Sequence, residues 1–188
     1  MVKIKYFVHG TTTDNLEKKA TGWLPGKLSD KGIAQANALS EIIKNEHFDI
    51  VFCSDLTRAI ESAYIDFKFH DIDIIKDSRI RECNYGDLDG KDSTLVVYDE
   101  HIDEAFPNGE SLKDVEARVR DFLSFLSENY DNRKVAIVAH RAPQLAIEVI
   151  TQDKSWEQAI REDWRNTKNW QPGWDYTYDK EANYNEEK

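Results

Sequence analysis

Apolar residues along this chain fall into short continuous runs, separated by longer stretches in which they recur every three or four positions. The short runs are rich in β-branched and aromatic residues, which is typical of strands buried on both faces of a sheet. They predict five strands, the third and fifth at the edges of the sheet: residues 2–8, 49–53, 72–75, 135–139 and 174–178.

The longer stretches predict amphipathic helices between the strands. Strands that alternate with helices favour βαβ units, and therefore a three-layer α/β/α sandwich with a mainly parallel central sheet. We expect a single domain over residues 1–179 and a polar, frayed tail over 180–188. The predicted helices cover about residues 30–45, 55–67, 111–129 and 143–150, and a short one follows Ser155.

Serine residues mark the predicted starts of these helices. Ser54 is expected to cap the second helix, and Ser111 with Asp114 has the pattern of a capping box. The buried stripe of the first helix is expected to consist of Ile33, Ala36, Leu39, Ile42 and Ile43.

Two of the predicted strands end in histidine, at His9 and at His140. Ligands bind beyond the carboxyl ends of the strands in open α/β sheets, so two central parallel strands would bring both imidazoles to the same edge. Arg58 falls in the first turn of a predicted helix at that edge, where a helix amino end favours anions. The pattern therefore predicts an anion pocket.

The formal net charge of −11 narrows the classes of partner. So acidic a surface argues against nucleic acid or an anionic membrane, and an anionic substrate would need a local basic pocket. The sequence contains no signal-peptide pattern and no run of the ~20 apolar residues that a membrane span needs. We therefore expect a cytoplasmic protein that binds neither nucleic acid nor membrane, as a monomer or a homodimer.

Phosphate is the anion that these residue types suit best. A neutral imidazole can attack phosphorus and form a phosphohistidine. Arginine and a second, protonated histidine would stabilise the charge on the transferring group, and a carboxylic acid would protonate the leaving oxygen.

Six blocks of sequence, in one order, resemble the histidine phosphatase superfamily, the phosphoglycerate mutase-like proteins. The first block, Val8-His-Gly-Thr-Thr-Thr-Asp-Asn15, is similar to the family pattern Arg-His-Gly-x-[Thr/Ser]-x-x-Asn. The others are Thr21-Gly-Trp23 with Leu28-Ser-Asp-Lys-Gly32, Ser54-Asp-Leu-Thr-Arg-Ala59, Arg81 to Gly90, Pro107-Asn-Gly-Glu-Ser111 and the strand that ends at His140.

The resemblance implies a phosphoglycerate mutase-like fold and a role for each matching residue. His9 would be the phosphorylated nucleophile, Glu82 the general acid, and Arg58 and His140 phosphate-pocket residues. No metal and no cofactor would be needed. The remaining phosphate- and substrate-binding positions implied are Gly10, Asn15, Thr21, Gly22 and Tyr85.

The chain departs from the family pattern on either side of the nucleophile pocket. The arginine that normally precedes the nucleophile and grips the phosphate is Val8, a loss that would cost about 3 kcal/mol of transition-state stabilisation. Arg141 stands where the family usually has glycine after the second histidine, and it could reach the same phosphate. The alternative is that Arg141 points to solvent or pairs with a surface carboxylate.

A third departure concerns the substrate. Cys83 replaces the arginine that follows the acid in the mutases, and residues 84–110 contain one lysine and no arginine. We therefore favour a metal-independent phosphatase acting on a small phosphorylated metabolite. The alternatives are a mutase-type phosphotransferase, a weakened family member that binds a phospho-ligand or a protein and, less favoured, a metal hydrolase that uses His9, His140 and a carboxylate.

Overall fold

A five-stranded sheet forms the middle layer of the protein, in a computed structural model that describes residues 1–180 and 182. The strand order is β3-β2-β4-β1-β5. Strands β1 to β4 are parallel, and β5 pairs antiparallel with β1 at one edge. The predicted mainly parallel sheet is confirmed, as are the two edge strands. The strands are β1 Val2–Val8, β2 Ile50–Ser54, β3 Ile74–Asp77, β4 Lys134–Ala139 and β5 Trp174–Tyr178.

Helices cover both faces of this sheet. They are α1 Thr13–Leu16, α2 Asp30–Ile43, α3 Thr57–Asp66, α4 Leu112–Asn129, α5 Arg141–Gln152, α6 Trp156–Glu162 and α7 Trp164–Thr167. Four short 3-10 helices lie between β3 and α4: Ser78–Ile80, Gly86–Leu88, Ser93–Leu95 and Tyr98–His101.

The core is divided between the two faces by the alternation of side chains along each strand. Phe7 of β1 packs with residues of α2 and α3, whereas its neighbour Tyr6 packs with residues of α4, α5 and α6. Burial on both faces explains why the central strands read as continuous apolar runs. The three-layer α/β/α sandwich is therefore confirmed.

The buried face of α2 differs from the prediction. Ile33 and Ile42 are 41% and 58% exposed, while Gly32, Ala36 and Ser40 are buried with Leu39 and Ile43. A Cβ at Gly32 would overlap the carbonyl oxygen of Thr11. The helix thus approaches the loop after β1 too closely for large side chains, and small residues form the contact.

The helix starts agree with the sequence in part. Ser111 and Asp114 form the predicted capping box of α4. Ser54, however, is the last residue of β2, and α3 begins only at Thr57 without a side-chain cap. The predicted frayed tail lies outside the described residues except for Lys180 and Ala182. Within the described residues, no helix combines the length and apolarity needed to cross a membrane.

Candidate active site

The two histidines meet at the carboxyl ends of β1 and β4. Val8 pairs with Ala139 in the parallel register, and the His9 amide donates to the Ala139 carbonyl at 3.1 Å. The ring centroids of His9 and His140 are 5.1 Å apart. The prediction that both imidazoles lie at one edge of the sheet is therefore confirmed.

The His9 ring is held by a hydrogen bond at one of its two nitrogens. Its Nδ1 lies 2.8 Å from the carbonyl oxygen of Gly10, which can only accept, so Nδ1 carries the proton and Nε2 keeps its lone pair. Burial, followed by the charge of Arg58, lowers the pKa of His9 to about 3. His9 is thus a neutral imidazole near pH 7.

His140 is held through its backbone and not through its ring. The hydroxyl of Tyr6 accepts from the His140 amide at 3.0 Å and donates to its carbonyl at 2.7 Å. The ring is fully buried, and neither ring nitrogen has a hydrogen-bond partner among the described residues. Buried polar groups are normally paired, so the imidazole has capacity to bind a ligand.

The prediction of a protonated His140 applies to the site with a phosphoryl group bound. Burial, then Arg58 and His9, lower the pKa of His140 well below its ordinary value. Without a bound anion to balance a second positive charge, the imidazole is neutral, and it can still donate one hydrogen bond through its N–H group.

Arg58 connects the pocket to the loop after β1. It lies in the first turn of α3 and donates to the carbonyl of Gly22 at 2.8 Å and to that of Leu24 at 3.4 Å. Gly22 has a φ of +50°, and a Cβ there would overlap the carboxylate of Asp89. Glycine therefore suits this position, both for its left-handed backbone conformation and for its lack of a side chain.

The carboxylate of Glu82 lies at the amino end of α5. It accepts from three backbone amides: Cys83 at 2.9 Å, Ala142 at 3.0 Å and Arg141 at 3.2 Å. The Glu82 carbonyl is fixed in turn by the Trp23 indole at 2.7 Å and Arg118 at 2.9 Å. These contacts fix the Glu82 carboxyl group at the wall of the cavity, beside the amino end of α5.

Arg141 takes part in an ion cluster that the sequence did not predict. Its Nε donates to Asp163 at 2.6 Å, and its guanidinium lies 4.3 Å from the Tyr98 ring centre. Arg165 pairs with the other oxygen of Asp163 at 2.9 Å. Residues 163–165 lie beyond the last family-like block, so no motif indicated them.

A cavity of about 650 Å³ brings the site together. Every predicted site residue lines this cavity except His140, which is fully buried. Asn15 also caps α1, because its Oδ1 accepts from the Thr12 amide, and the Tyr85 hydroxyl lies 2.8 Å from that of Tyr98. The predicted residues in the wall are His9, Gly10, Asn15, Thr21, Gly22, Arg58, Glu82, Tyr85 and Arg141.

The neutral His9 predicts a pH dependence of stability. Its pKa is about 3 in the fold, against 6.5 for a free histidine, so the unfolded chain binds the extra proton between those values. His9 therefore lowers the free energy of unfolding as pH falls through this window. We expect His9 alone to lower the free energy of unfolding by about 1–2 kcal/mol between about pH 7.5 and pH 5. The range extends below the full linkage value because solvent reaches part of the ring.

Chemical denaturation of the wild type and His9→Gln at both pH values measures this effect. The variant should lose less stability on acidification by that amount. Parallel pH dependence of the wild type and His9→Gln would contradict the assignment of a neutral, pKa-lowered His9.

Comparison with known proteins gives independent evidence on the family of this chain. The family model described as histidine phosphatase superfamily (branch 1) matches residues 7–169. An uncharacterized phosphatase of Bacillus subtilis is 32% identical over 136 residues, covering 71% of this chain and 69% of that protein. A 2,3-bisphosphoglycerate-dependent phosphoglycerate mutase of Allorhizobium ampelinum is 35% identical over 149 residues, covering 70% and 71%. The solved structure of a mycobacterial glucosyl-3-phosphoglycerate phosphatase with VO3 superposes with a TM-score of 0.77 at 25% identity, covering 84% and 86%.

Proposed function

Because the chain belongs to the histidine phosphatase superfamily, we propose that it is a phosphomonoester hydrolase that works through a phosphohistidine on His9. One observation carries this proposal. The Nδ1 of His9 is committed to the Gly10 carbonyl, so the unprotonated Nε2 is the available nucleophile in a cavity that Arg58 also lines. A nucleophile of this kind needs no deprotonation before it attacks phosphorus.

In the first step, Nε2 of His9 forms a bond to phosphorus while the bond from phosphorus to the ester oxygen breaks. The leaving oxygen takes a proton from Glu82, so an alcohol is released and Glu82 becomes a carboxylate. Arg58 and the N–H of His140 stabilise the charge on the transferring group. The fold holds the Arg58 guanidinium on the Gly22 carbonyl and the His140 backbone on the Tyr6 hydroxyl.

In the second step, water attacks the phosphorus of the phosphohistidine. Its proton returns to Glu82, the bond from phosphorus to Nε2 breaks, and inorganic phosphate leaves. The sum is the hydrolysis of a phosphate monoester, with His9 and Glu82 restored. Glu82 serves as acid in one step and base in the other, which requires that it reach both the leaving oxygen and the water that replaces it.

The substrate we propose is a small phosphorylated metabolite. A cavity of about 650 Å³ is within the range of small-molecule sites. Relatives of this chain include both phosphatases and mutases. Hydrolysis is favoured here because residues 84–110 supply one lysine and no arginine for binding a second acidic group.

Trapping of the phosphoenzyme tests the proposal. The wild type is mixed with an aryl phosphate, quenched rapidly in alkaline denaturant and analysed for phosphate bound to protein. We expect acid-labile phosphate on His9, release of inorganic phosphate on turnover, and no change when a chelator is added. Transfer of the phosphate to phosphoglycerate in preference to water would identify a mutase, and no turnover across a broad panel would favour a binding protein.

A further inference from the structure

The cavity wall next to His9 is apolar at residue 8, so positive charge for a phosphate must come from other residues. The residue before His9 is Val8, which lines the cavity with an apolar side chain. During transfer a phosphoryl group carries charge on several oxygens, and one guanidinium does not contact all of them. The cations that line the cavity besides Arg58 are Lys19, Arg141 and Arg165.

Asp163 organises two of these cations. Its fully buried carboxylate accepts from Arg141 Nε through one oxygen, and from the amide and the Nη1 of Arg165, at 3.0 and 2.9 Å, through the other. Burial opposes the charge on Asp163, but Arg165 and Arg141 outweigh it and hold its pKa below the usual range. Two guanidiniums on one carboxylate leave a net positive charge at the cavity wall.

Arg165 is held in place without a ligand. Its guanidinium lies 4.2 Å from the Trp164 ring centre. Trp164 in turn stacks on Trp174 of β5, with centroids 5.3 Å apart and planes at 25°, and its indole donates to Gln144 at 3.2 Å. A cation fixed by packing and an ion pair costs little reorganisation when it meets a developing charge.

The surroundings distinguish Arg165 from Arg141. Arg141 lies against the ring of the buried Tyr98, at 4.3 Å. Arg165 lies against the ring of Trp164 and lines the cavity together with His9. After burial and Arg58, its charge also contributes to the lowered pKa values of both His9 and His140.

We propose that Arg165 is a catalytic residue that contacts the transferring phosphoryl group and supplies the positive charge that Val8 cannot. This proposal rests on the proposed phosphatase function. It assigns to Arg165 the contact that the sequence alone suggested for Arg141. Arg141 then keeps Asp163 and Tyr98 in position, and Asp163 orients both arginines.

The proposal is tested with Arg165→Ala, Arg165→Lys, Arg141→Ala and the double variant Val8→Arg/Arg165→Ala. Turnover of an aryl phosphate and binding of inorganic phosphate by calorimetry are measured for each. We expect Arg165→Ala to lower kcat/KM by ~10² and to weaken phosphate binding by about tenfold or more, by the scale of one lost charged donor. Arg165→Lys should fall between, and Arg141→Ala should lose less than Arg165→Ala.

Rescue separates a catalytic role from a structural one. Val8→Arg in the Arg165→Ala background should recover at least about tenfold in kcat/KM, because a guanidinium at residue 8 replaces the charge but cannot repair the Asp163 cluster. Arg161→Ala, on the exposed side of α6, is the matched control and should leave turnover unchanged. If the double variant does not fold, the intermediate activity of Arg165→Lys carries the same distinction.

Two outcomes would overturn the inference: Arg165→Ala within threefold of wild type in both measurements, or Arg141→Ala losing as much as Arg165→Ala. Phosphate binding measured by calorimetry tests the Arg165 contact separately from the proposed phosphatase activity. Phosphate binding that depends on Arg165 in a protein without turnover would remove the phosphatase proposal and leave the Arg165 contact intact. Normal turnover that is indifferent to Arg165 would do the reverse.

Discussion

Replacement of His9 by alanine is expected to reduce the turnover of an aryl phosphate by on the order of 10⁵. The reason is chemical, because the variant has no atom that can form the bond to phosphorus. Under the proposed function Arg58 and His140 should still bind phosphate in this variant, so the affinity for inorganic phosphate should change far less than kcat. Steady-state kinetics and phosphate calorimetry on the same preparation measure both quantities.

His47→Ala is the matched control for this variant. The His47 side chain is 83% exposed and lies near Asp49, at the opposite end of β2 from the site. We expect it to retain wild-type turnover. The nucleophile assignment fails if His9→Ala keeps more than about a tenth of wild-type activity, or if labelled phosphate is trapped on it as on wild type.

The strands that carry the site could be predicted well from the sequence. Strand β1 runs from Val2 to Val8 as predicted, and His9 and His140 follow adjacent strands that pair in parallel. Toward their carboxyl ends both strands are apolar, and a histidine follows each of them at once. The local pattern of hydrophobicity therefore predicts the position of each histidine.

Contacts between distant segments could not be predicted in the same way. Glu82 accepts from the first amides of α5, although 59 residues separate it from Arg141. Ile33 and Ile42 fit the helical period, yet Gly32 brings α2 so close to Thr11 that small residues take the buried face. Such contacts depend on how elements approach each other, which periodicity does not encode.

The cluster around Asp163 shows the same limit at the site itself. Asp163, Trp164 and Arg165 form a turn of helix too short to have a periodic pattern. Asp163 is distant in sequence from Arg141, and the packing of Trp164 on Trp174, the hydrogen bond from Trp164 to Gln144 and the pair between Arg141 and Asp163 hold the segment at the cavity. The resemblance pointed to Arg141 because it lies inside a matching block, whereas the structure adds a second arginine from outside every block.

Glu82→Gln is expected to have an effect that depends on the leaving group. An alkyl phosphate releases a basic alkoxide, which needs a proton from Glu82, and its turnover should fall by ~10³, within the usual range for acid–base catalysis. A nitrophenyl phosphate releases a stable phenolate, so its first step should slow by less than about tenfold. Single-turnover kinetics with both substrates isolates that step from the hydrolysis of the phosphohistidine.

The position of Glu82 makes this comparison sharp. Its Oε1 accepts from the amides of Cys83 and Ala142, and its Oε2 accepts from the amide of Arg141. A glutamine keeps the first two contacts through its carbonyl oxygen, while its amide group cannot supply a transferable proton. Glu104→Gln, in an exposed loop, removes one negative charge without touching the cavity and should leave both substrates unaffected. Equal losses for the alkyl and the nitrophenyl ester in Glu82→Gln would mean that Glu82 acts by charge or position, and another group would have to protonate the leaving oxygen.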